Sequence, residues 1–442
     1  MNLPKQFTTD LVNKNPDDAA RLLELYLESG VHAPEIYSVL FDAALKLERT
    51  DDAVLILEHG QTKFPNSIDL LVKEARLATI RKDYVTAAAK WAKIEQSNPQ
   101  IAECYHTGAF CYDQSKNFSS SMQLSRKGLK NHPSSIQIWL QYLNTLLAAR
   151  NFEAAHACWF ESNAQFKPDF RTHLVGAQIA FLRREFVQAK SLLESSVSLN
   201  DGTFTYEQSE LKRKLVLAEL GRIAMHFESL GGSYEGCEFG LVQRSYEAEP
   251  LGLLRWTDMK PEALIDALEH EFHGVGEAEH TVLEPPWQGG DWMTKDSRYG
   301  MRMHTFQHDN DCEENRSRLF AAACRRLKYL KRKLLEDLAS NEKIFIYKIT
   351  YETLDEKRLH RLHQAIRRYG SATLLSVRQA DGPHNAGTVD WIAPGLMVGY
   401  IARFSFAHGR HAKYIGPATA EWTTIMKHAF ELWEAGKTSP AL

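Results

Sequence analysis

A chain of 442 residues with 44% hydrophobic and 25% charged residues has room for two domains and an ordinary globular composition, which excludes wholesale disorder. Its formal net charge of −3 excludes a dedicated nucleic-acid or anionic-membrane binder, while leaving room for local basic patches. No apolar run approaches a membrane span, no apolar signal core opens the chain, and six cysteines are too few for a disulfide framework, so a cytoplasmic location with reduced thiols is expected.

Residues 17 to about 200 repeat themselves. Pro65, Pro99, Pro133 and Pro168 stand 34, 34 and 35 residues apart, and the pairs Asp83-Tyr84, Asn117-Phe118, Asn151-Phe152 and Glu185-Phe186 recur every 34. Three residues after each aromatic comes a small side chain, Ala87, Ser121, Ala155 or Ala189. Such a unit reads as two amphipathic helices that cross closely at the small residue, with proline ending the second because it cannot continue a helix. The first-helix contact is small at Ala75, Ala109 and Ala177 but is Leu143 in one unit. Period and layout resemble the tetratricopeptide repeat, and about five hairpins are expected. Arrays of this kind bury a ribbon-like core and expose a concave face, so the expected partner is a protein segment bound there. Cys104, Cys111 and Cys158 read as small apolar fillers of that core.

The segment NDGTFTYEQSE at 200–210 breaks the period, and LKRKLVLAELGR reads as a connector helix ending at Gly221. This divides the chain into a solenoid over 1–200, a connector over 201–221 and a second domain over 222–442. Within the last, IAMHFESL (223–230) reads as a buried strand, followed by Gly231, Gly232 and Gly236 and then by the short helix CEFGLVQRSY. EENRSRLFAAACRRLKYLKRKLLEDLAS reads as a long amphipathic helix, whose basic residues form a solvated face rather than a nucleic-acid site. EKIFIYKIT, DEKRLHRLHQAIRRYG and SATLLSVRQ read as strand, helix and strand. That order predicts an α/β domain with a parallel crossover core. TVDWIAPGLMVGYIARF reads as irregular or extended, and ATAEWTTIMKHAFELWEAG as a terminal helix.

In an α/β sheet, ligands and catalysts collect where a strand's carboxyl end turns into a helix. Cys237 falls at such a helix start, where the helix dipole stabilises a thiolate. Gly231, Gly232 and Gly236 could serve instead to bring backbone N–H groups to a phosphate or nucleotide sugar, although GGSYEG fits neither the dinucleotide fingerprint nor the P-loop. Trp256, Trp287, Trp292 and Trp391 suit either a carbohydrate floor or core packing.

The run SLGGSYEGCEFGLVQR…EPLGLLRW, with YGMRMHTFQHD and EKIFIYK downstream, resembles a bacterial family of papain-like cysteine peptidases over roughly residues 222 to 430. The resemblance implies a cysteine nucleophile at Cys237, a histidine base at His304 or His308 and a connection with surface polysaccharide. Where many members have asparagine before the cysteine, this chain has Gly236 and a longer glycine loop. A third polar group normally fixes the base's tautomer, and Asp309 and Asp291 are the nearest in sequence. The expected function is a repeat-scaffolded, cofactor-free cysteine hydrolase or acyl transferase. The alternatives are a nucleotide-sugar transferase and a non-catalytic interaction scaffold. His304, His308 and Cys312 are spaced for metal binding on a helix, but YGMRMHTF reads extended, so no metal is expected.

Overall fold

The computed structural model describes residues 33–46, 48–233, 236–286, 290–308, 313–349, 354–404 and 418–438. Two compact units divide the chain, Met1–Leu215 and Val216–Leu442.

The first unit consists of helical hairpins. Its described helices pair as α1 (Pro34–Lys46) with α2 (Thr50–Lys63), α3 (Ile68–Ile80) with α4 (Tyr84–Ser97), and α5 (Ala102–Gln114) with α6 (Phe118–Asn131). They continue as α7 (Ile136–Ala148) with α8 (Phe152–Gln165), and α9 (Phe170–Leu182) with α10 (Phe186–Leu199). The five pairs agree with the tetratricopeptide-like period. Ala75, Ala87, Ala109, Ser121, Ala155, Ala177 and Ala189 are fully buried, and so is Leu143, whose larger side chain joins the core in its repeat. Asp83, Asn117 and Asn151 cap the second helices by accepting the N–H groups of Thr86, Ser120 and Ala154, which satisfies donors that a helix start leaves open. Cys104, Cys111 and Cys158 lie in the core. Burial pushes the Cys104 and Cys158 thiols up to about 12.

Helix α11 (Tyr206–Ala224) does not stop at Gly221. A Cβ at Gly221 would lie 2.6 Å from the Tyr246 carbonyl oxygen, so this glycine permits close packing rather than ending the helix. Residues 223 and 224 are therefore helical, and the strand expected over 223–230 instead spans Phe227–Ser233 as β1. The apolar run Ile223–Phe227 mixes a helix face and a strand start, which a short hydrophobic stretch cannot separate.

The second unit holds a nine-stranded sheet in the order β3-β4-β5-β2-β1-β6-β7-β9-β8. The strands are β2 (Thr257–Asp258), β3 (Thr281–Glu284), β4 (Met293–Asp296), β5 (Arg302–His304), β6 (Ile344–Ile349), β7 (Thr373–Gln379), β8 (Val389–Ala393) and β9 (Leu396–Ile401). Strands β2, β1, β6, β7 and β9 are parallel neighbours. The segment β3-β4-β5 is an antiparallel meander, β5 joins β2 antiparallel, and β8 hairpins onto β9. Both faces of the parallel part are covered, because alternate residues of a strand point to opposite sides. Phe345, Tyr347 and Ile349 join a core with α13 (Pro261–Glu269), α14 (Glu313–Ser340) and α15 (Glu356–Arg367). Ile344 and Ile346 join the opposite core with α12 (Glu238–Ser245), α16 (Ala418–Thr438) and the end of α11. Leu327, Leu330, Leu334 and Leu338 give α14 its buried stripe. No helix among the described residues is long and apolar enough to cross a membrane.

Candidate active site

The turn leaving β1 is shaped by its glycines. The β1–β6 ladder slips between Ser229 and Gly232, and Gly231 occupies the left-handed region at φ 70° that such a bulge assigns to glycine. Ser229 Oγ accepts the Gly231 N–H at 3.2 Å. A Cβ on Gly232 would lie 2.4 Å from the Lys348 carbonyl oxygen, and one on Gly236 2.3 Å from that of Thr257. All three glycines are buried, so they let β1 and the following turn press against neighbouring backbone.

That turn delivers Cys237 to the start of α12, with φ −80° and ψ −5°. The thiol is half-buried and lines a cleft of about 390 Å³ together with Gly236, Trp256, Asp291, Arg302 and His304. The next residue anchors the helix from below. Glu238 is buried, with Oε2 2.8 Å from Lys348 Nζ and Oε1 accepting Trp422 Nε1–H at 2.9 Å. Sequence reasoning missed this anchor; its one signal was a lysine inside the otherwise apolar strand IFIYKI.

His304 closes β5, and cross-strand register decides its neighbour. Met293 pairs with His304, and the ladder continues beyond the named strands as Thr305 N–H donates to Trp292 O at 3.0 Å and Trp292 N–H to Gln307 O at 2.9 Å. The same register brings Asp291 opposite Phe306. Asp291 Oδ1 lies 2.8 Å from His304 Nδ1, and Asp291 Oδ2 accepts the Phe306 N–H at 2.6 Å. The Asp291 side chain is 9% exposed and that of His304 43%. A carboxylate on Nδ1 selects the tautomer with the proton there, leaving the Nε2 lone pair as acceptor.

Phe306 holds the imidazole from one side. The two rings stack with centroids 5.8 Å apart, and Phe306 meets Trp256 edge-on at 5.5 Å. Arg244, on α12, lies over the Trp256 ring at 4.4 Å. Phe306 does this from the left-handed region, at φ 60°, a conformation uncommon for an aromatic residue.

Of the residues singled out from sequence, Cys237, Gly236, His304 and Asp291 thus line one cleft. His308 is exposed, its Nδ1 3.2 Å from the Gly290 carbonyl oxygen, and is not among the residues lining the cleft. Asp309, Cys312 and Trp287 lie outside the described residues. Trp256 lines the cleft, Trp292 lines a second cavity, and Trp391 is 39% exposed on β8. Among the described residues no group of three or more His, Cys, Asp or Glu is arranged to hold a metal ion.

No family model and no curated protein matches the chain. Among solved structures it is similar to a tetratricopeptide repeat protein of Parabacteroides merdae, at 16% identity and a TM-score of 0.42, over 55% of this chain and 91% of that one. PilF of Pseudomonas aeruginosa is similar at 15% identity and a TM-score of 0.39, over 47% and 95% of the two chains. A tetratricopeptide repeat protein of Thermus thermophilus is similar at 13% identity and a TM-score of 0.35, over 42% and 100%.

Proposed function

We propose that the second unit is a cysteine-dependent hydrolase or acyl transferase, with Cys237 as nucleophile, His304 as general base and Asp291 as the group that orients the base. The observation that carries this reading is the 2.8 Å contact of His304 Nδ1 with buried Asp291, in a cleft that Cys237 also lines. A base held in that tautomer can take a thiol proton on Nε2 and return it to a leaving group. The opening of α12 offers N–H groups beside the thiol for charge that develops on an attacked carbonyl. The likeness of SLGGSYEGC and MHTFQHD to papain-like cysteine peptidases supports the same roles. The burial of Gly231 and Gly232 in strand packing speaks against a glycine cradle for a nucleotide sugar.

The helical hairpins favour an interaction scaffold, and on this reading they present a protein segment on their concave face. The two readings are compatible, one for each unit. The test is labelling of the full chain by a neutral alkylating agent at about pH 6, where an ordinary thiol with a pKa of about 8.5 is protonated. Wild type should label rapidly at Cys237, and His304→Ala should label about tenfold or more slowly. Equal rates in wild type and His304→Ala would leave only the scaffold reading.

A further inference from the structure

We infer that a second cavity, across the β4–β5 hairpin from Cys237, binds an oxyanion of the substrate, a carboxylate or a phosphate, on the guanidinium groups of Arg318 and Arg326. The inference rests on the nucleophile reading of Cys237 for the word substrate, and on the cavity itself for the anion. Met293 and Arg302 line the Cys237 cleft, whereas their neighbours Thr294 and Met303 line the second cavity. Alternation along β4 and β5 therefore sets the two spaces on opposite faces of the hairpin. His304, at the end of β5, lines both. A substrate passing over the strand end at His304 would enter the two spaces together.

The second cavity has a volume of about 340 Å³, and among the described residues that line it none is acidic. Arg318, Ala322 and Arg326 stand four apart on α14, so they form one row along the helix with the small residue in the middle. The alanine leaves a notch between two long cationic side chains. Arg316 lines the cavity too, with its guanidinium over the Trp292 ring at 5.5 Å, and Thr305, Gln307 and Asn315 add neutral hydrogen-bonding groups. Arg318 and Arg326 are both exposed residues; partial desolvation lowers the pKa of Arg326, and no described carboxylate acts on it. A guanidinium so placed is a forked donor matched to carboxylate and phosphate oxygens. Leu319, Ala323 and Leu327 line the apolar remainder, which suits a ligand with an anionic head and a carbon body.

The test is calorimetric titration of the full chain with inorganic phosphate and, separately, with succinate. Saturable binding in roughly the millimolar range is expected for a small anion on two arginines. Arg318→Gln and Arg326→Gln should each weaken it about tenfold, Arg326→Lys should weaken it less, and Cys237→Ala should leave it unchanged. Preference for phosphate or for succinate identifies which oxyanion the site takes. Absence of saturable binding by both anions, or binding indifferent to both glutamine substitutions with thermal melts unchanged, would overturn the site. Arginine-dependent binding in a protein whose Cys237 labels no faster than an ordinary thiol would overturn the nucleophile reading instead and leave the anion site standing.

Discussion

The carboxylate of Asp291 serves two partners at once, His304 Nδ1 at 2.8 Å and the Phe306 N–H at 2.6 Å. Asp291→Asn keeps an acceptor for the Phe306 amide but removes the charge that stabilises an imidazolium. The thermal midpoint should therefore change little, while the rate of Cys237 labelling near neutral pH falls about tenfold or more. Alkylation kinetics beside a melting curve check both halves. A large drop in melting temperature with an unchanged rate would make Asp291 a purely structural residue.

Glu238 and Lys348 are both almost wholly buried, with side chains 3% and 2% exposed. An ion pair in that setting contributes little net stability, but removing one member takes from the other the buried charge it is paired with. Glu238→Gln should cost about 3–5 kcal/mol. The double variant Glu238→Gln with Lys348→Met should recover a large part of that cost, as measured by urea unfolding. Because Glu238 follows Cys237 directly, the single variant should also slow Cys237 labelling.

Gly236→Ala tests the turn itself. Its added Cβ would lie within 2.3 to 2.7 Å of the Thr257 carbonyl oxygen and of Gly232 backbone atoms, and backbone cannot swing aside as a side chain can. Overpacking of this kind costs about 1–3 kcal/mol. Loss of rapid Cys237 labelling should accompany the lower melting temperature, since the turn sets where the thiol sits.

How much of this was legible in the sequence follows from the range of the forces involved. The hairpins were readable because Pro65, Pro99 and Pro133, with the caps Asp83, Asn117 and Asn151, act locally and recur at a fixed period. The helix Glu313–Ser340 was legible from its apolar spacing. Cys237 could be placed at a helix start because glycines and a helical pattern flank it. The meander β3-β4-β5 was not foreseen beyond an extended reading of its last strand. Those strands are short, and Thr294, Asp296 and Thr281 are buried polar residues that break the alternation a strand usually shows. The choice between Asp291 and Asp309 was open in sequence because cross-strand register, a long-range property, is what brings Asp291 to His304. Glu238 and Lys348 are 110 residues apart, and no local pattern announces such a pair.

The buried thiols of the solenoid give a pH dependence of known sign. Burial raises Cys104 and Cys158 from 9.0 to about 12, so the folded state disfavours their thiolates relative to the unfolded chain. Their contribution to stability is complete below about pH 9 and is lost as the pH rises from there through about 12. Thermal melts followed by far-UV circular dichroism should thus show the helical region weakening across that window. Cys104→Ala and Cys158→Ala should flatten the dependence, at a cost in packing at neutral pH. Neither thiol should react with an alkylating agent at pH values where Cys237 does.

The hairpin turns carry a different, correctable strain. Glu48, Lys82, Lys116, Arg150 and Arg184 all have positive φ, between 56° and 64°, and stand 34 residues apart. At the third of these, the Lys116 N–H donates to Asp113 O at 2.9 Å and the Asn117 N–H to Tyr112 O at 2.8 Å. Those two bonds define a helix end whose left-handed residue is most often glycine, because a side chain there crowds the backbone. Lys116→Gly removes the crowding but also frees the unfolded chain, so the net gain should be about 0.5–1 kcal/mol. A second substitution at Arg150 should add to the first, since separate turns do not share partners. Lys116→Val should do the opposite, as a β-branched residue tolerates positive φ poorly. Urea unfolding of the full chain, read at the far-UV signal of the helices, measures all three. A Lys116→Gly protein no more stable than wild type would mean that the turn is held by its hydrogen bonds without strain.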